Sequence, residues 1–204
     1  MKTGTKQKIL NTARTLFNDY GYNSVSLRDI AKAVGISEGN LTYHFKKKEH
    51  LMDQLLSECE NTFPVGVPQT LEELDAIFLD MQQNVQKNLY FFLHYTQLSQ
   101  TSPDICKKQS ARYGELLTTL RRTFQNLREA GILRDERFTG EYDNVIDTLY
   151  MSIIYWAPFM ELKKSINAER TDYRRYAWVS MVHLLTEKGQ GKLRNIIQIR
   201  KKGS

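Results

Sequence analysis

The chain has 204 residues, 41% of them hydrophobic and 25% charged, with a formal net charge of +6. That balance excludes wholesale disorder and leaves room for a small domain beside a larger one, each with its own core. Cys59 and Cys106 lack spaced partners, so neither a structural disulfide nor a metal site is expected, and no segment is long enough to span a bilayer. The most apolar segment, residues 151–160, is short and holds Pro158.

The opening Met-Lys-Thr-Gly-Thr-Lys-Gln-Lys has no apolar run of the signal-peptide kind, so a cytoplasmic location is expected. It leads into a predicted first helix from Thr5 to Tyr20. There Ile9, Leu10, Ala13, Leu16, Phe17 and Tyr20 share one stripe, and Gly21 is the stop. Ser26 is placed to cap a second helix, with Asp29 three residues on, and Leu27, Ile30, Ala31 and Val34 make its buried face. Gly35 stands where the backbone must reverse. Ser37 is placed to cap a third helix whose Leu41 and Phe45 point back at the second. Two short helices around a tight glycine turn are a helix-turn-helix, whose second helix enters the DNA major groove.

A fourth helix is expected from Lys48 through Leu51, Met52, Leu55, Leu56, Cys59 and Phe63. Pro64, Gly66 and Pro68 interrupt the pattern and mark an elbow in which Val65 and Val67 pack. Thr70 and Glu73 form a capping-box pattern ahead of one long stripe that runs through Leu71, Leu74, Ile77, Phe78, Met81, Val85, Leu89 and Phe92 to Thr96. Ser102-Pro103-Asp104 restarts a helix that stops at Gly131. Two more helices are predicted, from Tyr142 to Leu162, kinked or ended at Pro158, and from Thr171 to Glu187. No period-two run calls for a strand. The fold class is all-α: a three-helix helix-turn-helix domain over 1–50, a connecting helix over 51–63, a helical bundle over 64–187 and a basic tail over 188–204.

Charge follows these divisions. Residues 1–50 carry nine Lys/Arg against four Asp/Glu, residues 51–187 fourteen against nineteen, and residues 188–204 six against none. A positive excess on the helix-turn-helix suits a surface facing phosphates, and an acidic body behind it orients the approach. The tail reads as a frayed or packed extension, with a membrane-surface or extra DNA contact as the alternative.

Arg28-Asp29-Ile30-Ala31, Gly35-Ile36-Ser37, Gly39-Asn40-Leu41-Thr42-Tyr43-His44-Phe45 and Lys48-Glu49-His50-Leu51 fall in register with the DNA-binding pattern of the TetR family, which residues 5–63 resemble. The chain departs from it at Thr42, where tyrosine is more usual, and at Lys46-Lys47, where many members have Pro-Ser. The resemblance implies a homodimer on a pseudo-palindromic DNA operator, with a helical carboxy-terminal domain that dimerises and often binds a small effector. Two-fold symmetry then sets a second recognition helix about 34–36 Å from the first.

By that match, Tyr43, His44 and Lys48 contact phosphate; Ser26 and Arg28, from their place at the start of the second helix, are expected as backbone contacts from the other side. Ser37, Glu38, Gly39, Asn40 and Thr42 lie on the opening turns that reach base edges. There Asn40 suits adenine N6 and N7, and the Thr42 methyl suits thymine. Plainer readings stand beside these: Ser37 as a cap alone, His44 as a packed ring, Glu38 as a solvated residue, Lys46 and Lys47 as diffuse counter-charge. Replacing Lys48 by Ala is expected to weaken binding uniformly across sequences and to lower the salt slope by about one.

In the bundle, aromatics ordinarily pack in the core. Tyr90, Phe91, Phe92, His94 and Tyr95, however, would cover every side of one helix, more than a single core face absorbs. A cavity lined by Phe91, Phe92, His94, Tyr95, Tyr113, Tyr150 and Trp156 is therefore expected, taking a small apolar or aromatic effector. By family analogy the last two helices form the dimer interface, through Trp178, Met181, Leu184 and Leu185. No cofactor, metal or membrane partner is expected. No P-loop, nucleophile elbow or His-Glu-x-x-His run suggests an enzyme, and His44, His50, His94 and His183 lie far apart. The function read from the sequence is a ligand-released repressor. The alternative is a DNA-binding dimer controlled by a protein partner, or one that organises DNA, without a small ligand.

Overall fold

The computed structural model describes residues 4–60, 66–101, 103–166 and 172–201. The sequence expectations for Phe63, Pro64, Val65, Ser102 and Thr171, and for the Cys59 side chain, fall outside what is described.

The amino-terminal helices are α1 (Thr5–Tyr20), α2 (Leu27–Val34), α3 (Glu38–His44) and α4 (Lys48–Glu60). Ser26 and Asp29 close a reciprocal capping box on α2: the Ser26 hydroxyl accepts from Asp29 N, and the Asp29 carboxylate accepts from Ser26 N at 2.9 Å. Those Ser26 bonds hold the Asp29 carboxyl below its usual value. Gly35 adopts φ 79°, ψ 36°, a left-handed stop that a side chain would strain. Ile9, Phe17, Ile30, Leu41, Leu51 and Leu55 fill the core of this unit, whereas Tyr20, expected on the apolar stripe, is largely exposed at the end of α1. Arg14 ties α1 to α4 through Glu58.

The expected long helix after Thr70 is three helices instead: α5 (Leu71–Lys87), α6 (Leu89–Leu93) and α7 (Tyr95–Thr101). Thr70 caps α5 by accepting from Glu73 N, but the Glu73 carboxylate turns back to Gln69 N, one residue short of a full capping box. The break after α5 has a definite cause. Asn88 is buried at φ −121°, ψ 41°, and donates to the Asn84 side chain at 2.7 Å. From α1, the Asn18 amide donates to Lys87 O and accepts from Tyr90 N, both at 3.0 Å. One side chain of the amino-terminal unit thus satisfies polar backbone groups on both sides of the break.

Then come α8 (Pro103–Glu129), α9 (Glu141–Ile154), α10 (Trp156–Ser165), α11 (Tyr173–Met181), a 3₁₀ turn (Val182–Leu184) and α12 (Glu187–Lys201). The expected Tyr142–Leu162 helix divides at Tyr155, three residues before Pro158, because the proline ring excludes the carbonyl four residues back, that of Ile154. The expected Thr171–Glu187 helix ends early, since residues 184–186 leave it to pair with residues 132–134. Arg134 N donates to Leu184 O at 2.9 Å and Thr186 N to Ile132 O at 3.0 Å. The basic tail is helical and packed through Leu193 and Ile196. Gly189 lies inside α12, where a Cβ would stand 2.4 Å from Ile132 O. In the bundle core, Asp75 of α5 accepts from Trp178 Nε1 at 2.8 Å and pairs with Arg174, locking α11 to α5. Among the described residues there is no strand beyond a single bridge, Leu133 to Leu185, and no helix long and apolar enough to cross a membrane.

Candidate nucleic-acid interface and effector cavity

Helix α3 is held by its inner side and open on its outer one. Leu41 and Phe45 are buried, and Ser37 Oγ accepts from Asn40 N at 3.2 Å, fixing the first turn. Glu38, Gly39 and Asn40 are exposed, and Tyr43 is 84% exposed. Thr42 is half-buried, and its hydroxyl bonds back to Glu38 O and Gly39 O at 3.0 and 3.1 Å. The hydroxyl is thereby committed, and the methyl is the group left to meet a base. Half-buried His44 packs edge-on against Tyr43, with ring centroids 5.3 Å apart. Ser26, Arg28 and Lys46 are exposed around the same helix.

Lys48 differs from its expectation as a dedicated phosphate contact. Its ammonium turns inward and donates to Tyr22 O at 2.5 Å and Val25 O at 2.7 Å, above the Tyr22 ring at 4.1 Å. Burial pushes its pKa down, partly opposed by Glu49. Burial, with Glu49 and Asp53, pushes the Tyr22 phenol up to about 12. Two of the three Lys48 N–H groups therefore fasten the turn between α1 and α2.

Of the residues expected around an effector, Phe91, Phe92, Tyr95 and Tyr150 line one cavity of about 50 Å³. The other three do not. His94 faces a separate groove between α4 and the α7–α8 junction. Tyr113 stacks on Tyr150 at 4.9 Å from outside the cavity and donates to Asp147. Trp156 packs on Tyr173 and Tyr176. The misplacement of His94 follows from treating 89–96 as one continuous helix, because the break at His94 resets the angular register. The sequence reading missed Met81, Asn84, Gln109, Arg112, Leu116, Ile153 and Ile154, which also line the cavity. Arg112 gives no sequence signal, since a charge on an amphipathic helix ordinarily reads as solvated.

The four expected interface residues are corrected by burial. Trp178 is 3% exposed, and Met181, Leu184 and Leu185 are equally enclosed by their own chain, so none of them is available to a partner. The opposite faces of these helices are apolar and open. Met151, Tyr155, Phe159, Leu162 and Ile166 follow one stripe along α9 and α10, with Leu162 67% exposed. Tyr176 and Val179 continue it on α11 and Val182 on the 3₁₀ turn that follows, joined through the Phe159 and Tyr176 rings at 6.3 Å. A second apolar periodicity beside the core stripe was the signal in the sequence.

Comparison with known proteins agrees with this architecture. The family described as "Bacterial regulatory proteins, tetR family" matches residues 9–55, and that described as "Bacterial transcriptional repressor" matches residues 49–187. The chain is 42% identical over 72 residues to a probable HTH-type transcriptional regulator, YttP, of Bacillus subtilis, covering 35% of this chain and only 33% of that protein. It is 26% identical over 183 residues to the HTH-type transcriptional repressor KstR2 of Rhodococcus jostii, covering 77% of this chain and 82% of that one. A TetR-family regulator from Marinobacter aquaeolei superposes with a TM-score of 0.82 at 23% identity, over 98% of each chain. The chain belongs to the TetR family of bacterial transcriptional regulators: it is a DNA-binding transcriptional repressor, not an enzyme.

Proposed function

We propose that the protein acts as a homodimer on a pseudo-palindromic operator and that a small apolar effector releases it. The observation that carries the reading is the two-sided character of α3, anchored by Leu41 and Phe45 with Asn40, Thr42 and Tyr43 turned outward. Asn40 and Thr42 read base edges, while Tyr43, His44, Arg28 and Lys46 grip phosphates. The exposed stripe on α9, α10 and α11 is the surface through which two copies pair, supported by its apolar continuity and the two-fold symmetry that a palindromic site requires.

Helix α6 supports the effector half of the proposal. On one side Tyr90 packs against Phe17 of α1 at 5.6 Å, and its backbone is held by Asn18. On the other side Phe91 and Phe92 line the cavity. An occupant that displaces these rings acts on a segment bonded to the DNA-binding unit. A coupling of roughly 1–3 kcal/mol gives a 5–150-fold change in operator affinity, and operator DNA must weaken effector binding equally. At about 50 Å³ the cavity is far below the roughly 300–1,000 Å³ of ordinary ligand sites, so binding must widen it.

Selection of bound fragments from random duplex DNA tests the reading. An inverted repeat with half-sites about one helical turn apart is the expected product. An asymmetric or sequence-independent pool would oppose it.

A further inference from the structure

We propose that the groove between α4 and the α7–α8 junction is a second binding site, taking a small primary amine with an apolar body whose ammonium is held by Asp53 and Glu49. The site is separate from the effector cavity and does not rest on it. At about 320 Å³ the groove falls within the roughly 300–1,000 Å³ of ordinary ligand sites, which the cavity beside α6 does not. Its apolar lining comes from buried Met52 of α4, Leu98 of α7 and Ile105 of α8, so the amino-terminal unit and the bundle each supply part of it. Glu49 and Asp53 stand one turn apart on α4 and line the groove together with Tyr22. Asp53 is half-buried and Glu49 exposed, and neither carboxylate makes a hydrogen bond or ion pair among the described residues. Glu49 does act on the Lys48 ammonium, but that ammonium is spent on Tyr22 O and Val25 O and lies outside the lining. Asp53, the less solvated of the two, is therefore the principal anion.

The lining selects the ligand class. Among its described residues there is no Lys or Arg, so an anion meets two carboxylates and nothing to answer it. A neutral body covers Met52, Leu98 and Ile105 but strips water from Asp53 without replacing it. A metal ion needs several ligands converging at bond distance, and no group of three His, Cys, Asp or Glu among the described residues is so arranged. A primary ammonium meets each requirement, with three donors to share between Asp53, Glu49 and the Tyr22 oxygen. Burial, then the charges of Glu49 and Asp53, push the Tyr22 phenol up to about 12, so both carboxylates act on the oxygen that lines the groove with them. An occupant in contact with both units favours one angle between them, and its binding is thereby linked to operator binding.

The test is titration calorimetry of the full chain with phenethylamine and hexylamine, the matching alcohols, and the matching acids hydrocinnamate and heptanoate. The amines are expected to bind at least about tenfold more tightly than the alcohols, with the acids weakest. Asp53→Asn is expected to remove most of the preference for amine over alcohol, Asp53→Glu to restore part of it, and Asp53→Asn with Glu49→Gln to erase it, thermal melting showing that each variant folds. Alcohols or acids binding as well as the amines, a preference that survives in the double variant, or no binding by either amine would overturn the site. Saturating amine is also expected to change operator affinity at least about fivefold in the protein but not in the double variant, which controls for simple screening of DNA by the added cation. An equal effect on both would overturn the link to operator binding. None of these outcomes bears on the effector cavity, which shares no lining residue with the groove.

Discussion

At the scale of residues, position alone does not reveal the role of a side chain. Lys48 stands where the family match implies a phosphate contact, yet its ammonium fastens the Tyr22–Val25 turn. Hydrogen bonds to a charged donor contribute about 1.5–3 kcal/mol, so Lys48→Ala should lower the stability of the amino-terminal unit by that order. Urea denaturation measures this; a stable variant whose salt slope alone falls would restore the simple phosphate role. Glu141 offers a pH test. Hydrogen bonds from Arg134, then from Arg137 N, hold its carboxyl at about 2, below its ordinary value of 4.5. A depressed carboxyl stabilises the fold fully above its unfolded value and loses that contribution as pH falls toward the folded one. The protection of amides in residues 132–141, taken relative to their intrinsic exchange rates, should therefore fall between pH 5 and about 2. In Glu141→Gln that fall should be absent; an unchanged pH dependence of protection in the variant would count against the assignment.

At the scale of elements, the sequence showed where helices lie better than where they break. The α1 bounds, the Ser26 and Ser37 caps and the Gly35 stop are local events, set by residues within a turn of one another. The break after Lys87 is not local: it needs Asn18, distant in the chain, to receive the freed backbone groups. The end of α11 likewise depends on residues 132–134. The lock between α5 and α11 is equally non-local. Breaking a buried pair by removing one partner costs about 3–5 kcal/mol, so Asp75→Ala should unfold much of the bundle at moderate urea, read by circular dichroism. A melting profile like that of the unaltered protein would show that Trp178 and Arg174 do not depend on it. The outer faces of the same helices behave differently. Leu162→Glu with Val179→Asp should leave the fold intact and give a monomer by sedimentation, whereas a persistent dimer would move the interface elsewhere.

At the scale of the whole molecule, the helix-turn-helix and the overall class were legible because they rest on residue types in fixed register. The cavity was only half legible. Its aromatics stand out in composition, but the register that turns Phe91 and Phe92 inward and His94 away depends on breaks set by tertiary contact. Trp178, Met181, Leu184 and Leu185, expected at a dimer interface, lie instead on buried faces, because an amphipathic stripe does not show from sequence alone whether it meets its own core or a partner. What unites the scales is a positively charged head carrying an exposed short helix, set on a bundle with an open apolar side. The most direct measurement is operator affinity as a function of salt, for the protein and for Asn40→Ala and Arg28→Ala. Log affinity should fall linearly with log salt. Arg28→Ala should weaken binding on all sequences and reduce that slope by about one, while Asn40→Ala should change base preference and keep the slope. Salt-insensitive binding, or variants that leave both preference and slope untouched, would contradict the placement of α3 in the groove.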